Sequence, residues 1–457
     1  MKKNEFEEYI NIALSNGADF AEIYYEESIG NFYQLIDSKL DTINTNIKKG
    51  IGIRIRKGEN ILYTSTNNLL KENIINLINK LTKNFKEKKQ VSICLDNLKE
   101  CSEKIEIPHN KYSINEKKDF LYKTDQIARN YSKLVSQVSV FFNESDREYT
   151  IANSEGKFIK NNKCLTRFGF TVYVKDETST EEEFRDYAAG KGYEMFEQYN
   201  LEENVKKATE TAIKKLDAKY YKGGEIPVII SNGFGAVIFH EACGHGLEAT
   251  SVVPNISVFS NMLNKKVASD KVTLIDDGTI PYSWGGTLID DEGNETQKNI
   301  LIENGILKNY LIDNLNSKNI DLKCNGCGRR EDYNYSPTSR MSNTYLAPGN
   351  DKIEDMIKSI KEGIYCLKMS GGSVDTSTGD FNFAVETARL IKNGKLEHYI
   401  KGVSLIGNSK EILKNVEMVS DDLVIDAGYC GSKSGLIKVT IGQPTIKVSK
   451  ILVGGKE

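Results

Sequence analysis

No stretch of this chain approaches the roughly 18 consecutive apolar residues that a membrane-spanning helix needs, so no integral helical membrane protein is expected. An export signal is not expected either. Met1-Lys2-Lys3 supplies a basic start, but Asn4-Glu5-Phe6-Glu7-Glu8 stands where the apolar segment would have to be. Neither sign of charge prevails. Lys and Arg number 61 against 64 Asp and Glu, net −3, which gives no broad pull toward nucleic acid or an anionic membrane. The eight cysteines are scattered over 457 residues rather than spaced as a disulfide framework, which fits reduced thiols and a cytoplasmic location. Cys324-Asn325-Gly326-Cys327 has no second C-x-x-C to complete a zinc knuckle, and no βαβ surroundings for a redox pair. Gly326-Cys327-Gly328-Arg329-Arg330 lacks the lysine and strand–loop–helix setting of a phosphate-binding loop, so it reads as a tight turn with solvated arginines. Placed in a cleft instead, Arg329 and Arg330 would suit bidentate capture of a peptide carboxylate.

Histidine is scarce as well: there are four, and two of them fall in His240-Glu241-Ala242-Cys243-Gly244-His245. Neutral imidazole is a common zinc ligand, and a carboxylate beside the first histidine can take a proton from an activated water. The spacing, H-E-x-x-x-H, is one residue longer than the familiar H-E-x-x-H. On a regular α-helix, residues five apart point about 140° away from each other and cannot reach one ion. A π-type turn, with its i→i+5 hydrogen bond, would bring them onto one face. Loosening at Gly244 and Gly246 is the other solution. Upstream, Glu225 to Ile230 reads as a strand and Ser231-Asn232-Gly233 as a helix cap. Phe234, Val237 and Ile238 then give an apolar face at helical spacing. A competing reading makes the two histidines a hydrogen-bonded core pair with Glu241 on the solvated side.

A two-histidine zinc site needs a third protein ligand and an open position. Cys243 lies inside the motif but leaves the helix in another direction. Cys430, in Asp426-Ala427-Gly428-Tyr429-Cys430-Gly431, is flanked by glycines that allow close backbone approach, but spacing alone reads it more readily as a small buried hydrophobe.

These residues also carry a resemblance. HEACGHGLEA (His240 to Ala249) is similar to the metal motif of the TldD/PmbA family of metallopeptidases, and of its TldD-type members in particular. VFSNMLNKKVAS from Val258, IDDGTIP from Ile275 and the block from Asp290 to Asp313 follow in the family's order, as do GCGRREDY from Gly326 and SRMSNTYLAPG from Ser339. The blocks from Gly371, Lys401 and Asp426 complete a match over nearly all of the chain after residue 224. The resemblance implies that His240, His245 and Cys430 are the metal ligands, with Zn²⁺ as the metal, and that Glu241 is the general base. Tyr429 departs from the family pattern, and Cys324 and Cys327 fall at or beside its G-x-G-R-R segment; neither departure touches a ligand. The resemblance further implies hydrolysis of small or unfolded peptides and assembly with a PmbA/TldE-type partner, as a heterodimer, or as a homodimer. Description of the family as gyrase modulators would then be an indirect consequence of peptide turnover.

Glu248 could orient a ligand or be an ordinary surface glutamate, and Arg340 and Asn343 could help form the cleft. Two rival functions remain open. One is a non-catalytic, chaperone-like peptide-binding subunit with a structural metal, which a closed coordination shell would favour. The other is a cysteine hydrolase using Cys430, in which Glu241 has no purpose.

The expected fold is α+β and multi-domain, with two mixed α/β N-terminal units and a β-rich C-terminal domain carrying the metal-binding helix. The first unit (1–88) has a helix near Asn4 to Ser15, and strands at Phe20–Glu27, Asn31–Ile36, Lys39–Asn46, Gly50–Arg56 and Glu59–Thr64. A helix near Leu69 to Phe85 closes it. A linker spans 89–112. The second unit (113–218) repeats the layout, with helices near Glu116 to Tyr131 and Glu202 to Leu216. The third spans 224–457, with Glu354 to Glu362 as its clearest later helix.

Overall fold

The computed structural model describes residues 1–320 and 322–455. The chain opens with helix α1 (Lys3–Ser15), whose Phe6, Tyr9, Ile10, Ala13 and Leu14 recur at helical spacing and are all buried. Strands β1 (Phe20–Ile36), β2 (Lys39–Lys57) and β3 (Asn60–Thr66) follow, then helix α2 (Lys71–Thr82). The expectation of four short strands between residues 20 and 56 is corrected: there are two long ones, paired from Phe20↔Arg56 to Ile36↔Lys39. Apolar alternation lapses around Ser28–Gly30 and Ile47–Lys49, where the side chains are largely exposed, but the backbone ladder continues because β1 is paired along both edges.

The other edge of β1 belongs to the second unit. After β4 (Lys99–Ser102) and helix α3 (Ile114–Tyr131) come β5 (Val135–Asn153), β6 (Phe158–Lys175), β7 (Thr180–Ala189) and helix α4 (Leu201–Leu216). β1 and β5 pair antiparallel from Glu22↔Asn153 to Ile36↔Ser139. The two units therefore share one seven-stranded sheet, β3-β2-β1-β5-β6-β4, with β7 on the free side of β6. Each has the same order of helix, long hairpin, third strand and helix, and a separate apolar core lies under each, Ala152 and Phe158 joining the first and Tyr33 and Leu35 the second. The segment 89–112 is not bare linker, since β4 lies in it, parallel to β6.

From residue 219 on, an eight-stranded and a six-stranded sheet close over one large core. The later helix expected through Glu362 ends at Lys358, and Glu362 opens a strand that runs to Val374. No helix among the described residues is long and apolar enough to cross a membrane.

The N-terminal sheet is joined to this body by a buried ionic seam. Glu22 Oε2 accepts from Arg54 Nη2 (2.5 Å) and Glu22 Oε1 from Arg330 Nη2 (2.6 Å), while Arg54 Nη1 reaches Glu292 Oε1 (2.6 Å). Beside Glu292 lie two more carboxylates. Burial, and then the charge of Glu292, push Asp290 up to about 7 and Asp313 up to about 6. A carboxyl raised above its unfolded value of about 4 contributes stability below that value and loses it as pH rises through the folded one. Wild type should therefore lose stability relative to Asp290→Asn between about pH 4 and 7, by at most about 1.4 kcal/mol per pH unit. Urea unfolding of both proteins at pH 5 and pH 7 checks this, and an unchanged difference would refute it.

Candidate metal centre

The motif is built where a strand, Gly224–Ile230, whose last three residues are buried, turns into a short helical run. Gly233 adopts φ +68°, and a Cβ there would lie 2.2 Å from Asp426 Oδ2. That carboxylate accepts the Phe234 N–H at 2.7 Å, so the helix start is capped by Asp426 and not by the expected Ser231 or Asn232. Because Asp426 shares its strand, Val424–Ser432, with Cys430, this cap also fixes the histidine segment against the third donor.

Val237, Ile238 and Phe239 are buried, and from His240 to Gly244 the chain makes a π-helical turn in which the His245 N–H donates to His240 O. A tighter 3₁₀ turn, His245–Leu247, follows. The extra residue of H-E-x-x-x-H is thus absorbed by the wider turn, which brings the two imidazoles together at 5.2 Å between ring centres. The glycines do different work from loosening a helix. A Cβ on Gly244 would lie 2.0 Å from Met341 Sδ, and one on Gly246 2.7 Å from Phe259, so both permit close packing.

Cys430 Sγ lies 3.3 Å from His240 Nε2 and 3.1 Å from His245 Nε2. Tetrahedral zinc with one sulfur and two nitrogen ligands separates such donors by roughly 3.5 Å, so the trio fits zinc with little movement. Burial opposes ionisation of the Cys430 thiol, but the two imidazoles bring it down to about 4, and a thiolate is the form that ligates metal. Glu241 Oε2 is 3.8 Å from His245 Nε2 and is the most exposed side chain of the group, at 23%. It can meet water and substrate.

Glu248 is no surface residue. It is 4% exposed, and its Oε1 sits 3.2 Å from His245 Nδ1, an ion-pair contact rather than an aligned hydrogen bond. Burial acts against a charge on His245, yet Glu248 and Cys430 hold its pKa well above the usual imidazole value. Arg340, fully buried, backs this arrangement. Its Nε is 3.7 Å from Glu248, Nη2 donates to Cys430 O (2.6 Å), and Nη1 donates to Ser434 Oγ (2.9 Å). Groups that orient a ligating histidine typically tune metal affinity 10–100-fold. Glu248→Gln should weaken zinc binding by about that factor without unfolding the chain, as read by chelator competition; unchanged affinity would refute the assignment.

The other sequence candidates lie apart from the trio. Arg329 and Arg330 are buried, which corrects the expectation of solvated turn arginines. Arg329 donates to Met341 O and Lys438 O, and Arg330 to Glu22 and Asp291 O, so neither guanidinium is free to take a peptide carboxylate. Asn343 donates to Asp277 O inside the six-stranded sheet. Cys243 faces the core, and burial pushes its thiol well up. Burial likewise raises Cys324 to about 12. Sequence reading passed over Asp426, although it heads the D-A-G-Y-C-G block, and two further donor clusters, His109/Asp146/Cys164 and Asp290/Glu292/Cys324.

Comparison with known proteins gives this geometry a family. Models for domain 1, the central domain and the C-terminal domain of PmbA/TldA metallopeptidases match residues 21–85, 107–216 and 223–455. A Metalloprotease TldD homolog of Buchnera aphidicola is 35% identical over 96% of this chain and 93% of its own length. A Zinc metalloprotease TldD homolog of Saccharolobus solfataricus is 26% identical over 98% and 99%. Among solved structures, a Thermotoga maritima protein described as a modulator of a DNA gyrase superposes with a TM-score of 0.81 at 21% identity, over 99% of this chain and 100% of that one. TldE from Thermococcus kodakarensis gives 0.78 at 20% identity, over 99% and 100%. By these matches the chain belongs to the PmbA/TldD family of metallopeptidases.

Proposed function

We propose that this chain is a zinc-dependent peptidase of the TldD type, acting on small or unfolded peptides. The observation that carries the reading is the convergence of His240, His245 and Cys430, with the Glu241 carboxylate beside them and no fourth donor in that group among the described residues. These three residues would hold Zn²⁺, which supplies acidification of a water and polarisation of a peptide carbonyl. Glu241 accepts the proton of the attacking water and returns it to the leaving amine. Glu248 and Arg340 keep His245 and the Cys430 backbone in place. A single zinc at this catalytic centre, the cytoplasmic location and a partner subunit of PmbA/TldE type belong to the same proposal; the partner is supported by the likeness of this fold to a solved TldE.

The test is zinc content and peptide cleavage in wild type and Cys430→Ala, alone and mixed with a PmbA-type protein. Loss of cleavage, together with the zinc that Cys430 holds, is the expected result. Wild type that binds zinc but cleaves nothing in either setting would favour the chaperone-like binding subunit. Full activity in Cys430→Ala would overturn the site.

A further inference from the structure

A second set of metal-type donors converges on the N-terminal sheet. His109 opens the short turn His109–Lys111 at the end of the 89–112 segment, Asp146 lies on β5 and Cys164 on β6, and the antiparallel register sets Asp146 directly opposite Cys164. Asp146 Oδ2 is 2.8 Å from His109 Nδ1, and Cys164 Sγ is 3.6 and 3.9 Å from the two ring nitrogens. One donor atom from each residue lies within 4.8 Å of the others, the span within which His240, His245 and Cys430 also converge.

The hydrogen bonds around His109 fix the role of one ring nitrogen. Thr166 Oγ1 donates to Lys191 O at 2.7 Å, so its proton is committed and toward His109 Nε2, also 2.7 Å away, it can only accept. Nε2 therefore carries a hydrogen. In the neutral tautomer this leaves Nδ1 with a lone pair aimed at the Asp146 carboxylate, two acceptors face to face with nothing positive between them. Something positive belongs there, either a proton that makes His109 an imidazolium or a metal ion, for which the Cys164 sulfur 3.9 Å from Nδ1 supplies a further donor. Thr166 then fixes the ring's tautomer and orientation, as an outer partner does for a ligating histidine.

Charge agrees with this. The Cys164 thiol is held well above its usual range by burial first, then by the charge of Asp146 and a hydrogen bond to it, and by the charges of Glu194 and Glu144. The nearby ammonium, Lys117, is occupied by Glu144. A divalent ion among the donors would turn that repulsion into attraction. Asp146 is 55% exposed and opens a path to solvent, while His109 is buried. Imidazole, thiolate and carboxylate together suit zinc-like ions rather than calcium or magnesium.

We propose that His109, through Nδ1, with Asp146 and Cys164 forms a second divalent-metal site, with water completing its shell, that clips the 89–112 segment to the β5–β6 hairpin. The proposal stands apart from the catalytic reading, and one titration separates them. Metal-free protein is titrated with Co²⁺, following bound equivalents and the thiolate-to-cobalt absorption. Wild type should take two equivalents, Cys430→Ser and Cys164→Ser one each, and the double variant none. If wild type takes one and Cys430→Ser takes none, a proton occupies the His109 site and the proposal fails while the catalytic centre stands. If Cys430→Ser keeps a lone equivalent that Cys164→Ser loses, and wild type holds no more, the catalytic reading fails instead. Should Cys164→Ser not fold, Asp146→Asn in the Cys430→Ser background serves. It should bind Co²⁺ at least tenfold more weakly and lose any cobalt-induced rise in melting temperature; undiminished binding would overturn the proposal.

Discussion

Glu241→Gln is expected to keep its zinc and to lose peptide cleavage by about 10²–10⁴-fold, the usual worth of a positioned proton-transfer group. The metal should stay because Glu241 lies outside the converged trio, 3.8 Å from His245 Nε2, and the two histidines and Cys430 are held by other contacts. Glutamine keeps the shape of the side chain but cannot accept a proton from water. The loss should therefore fall on kcat, with KM little changed, since the group acts on the reacting water and not on binding. Zinc analysis and saturation kinetics on a short unstructured peptide decide it. Activity within threefold of wild type would remove Glu241 from the mechanism. Loss of zinc together with activity would make it part of the metal shell.

Arg54→Met should cost about 3–5 kcal/mol, the largest stability effect expected in the chain, because it leaves buried carboxylates without their counter-ion. Arg54 is only 5% exposed and serves Glu22 and Glu292 at once. Without it, Glu292 keeps two carboxylates, Asp290 and Asp313, as electrostatic neighbours. Glu22 would fare better, since Arg330 still reaches it from above the ring of Tyr24. Adding Glu292→Leu to Arg54→Met should recover part of the loss, because removing both members of a buried pair is often close to neutral. By contrast, breaking the exposed Lys206–Glu202 pair should cost less than about 0.5 kcal/mol. Urea unfolding of the four proteins supplies the comparison, and a cost below about 1 kcal/mol for Arg54→Met would mean that water reaches the seam.

The candidate metal centre was legible where its signal is local. His240, Glu241 and His245 lie within six residues, and helix geometry alone ruled out a regular helix there, leaving a widened turn or loosening at the glycines; the structure contains the widened turn. Cys430 lies 185 residues beyond His245, and only resemblance connected the two. Burial of Arg329 and Arg330 could not be read locally at all: beside glycines they look solvated, and what buries Arg330 is Glu22, 308 residues away. The N-terminal units were legible as helix–strands–helix because periodicity is local as well. That their first strands pair was not, since an alternating pattern shows which face is apolar but not which strand lies alongside. Asp426 illustrates the same limit, because a helix cap supplied from another strand leaves no mark beside the helix.

The pairing of β1 with β5 also bears on how the chain is made. When β1 and β2 leave the ribosome, one edge of β1 is covered by β2, but the other waits for a strand that ends at Asn153. At ordinary elongation rates that wait lasts several seconds. Throughout it, a 17-residue edge offers its amide and carbonyl groups to any neighbouring chain. Nascent copies on one message are the nearest such neighbours, so yield in fast overexpression should be limited by this edge, and slower synthesis at low temperature should recover soluble protein.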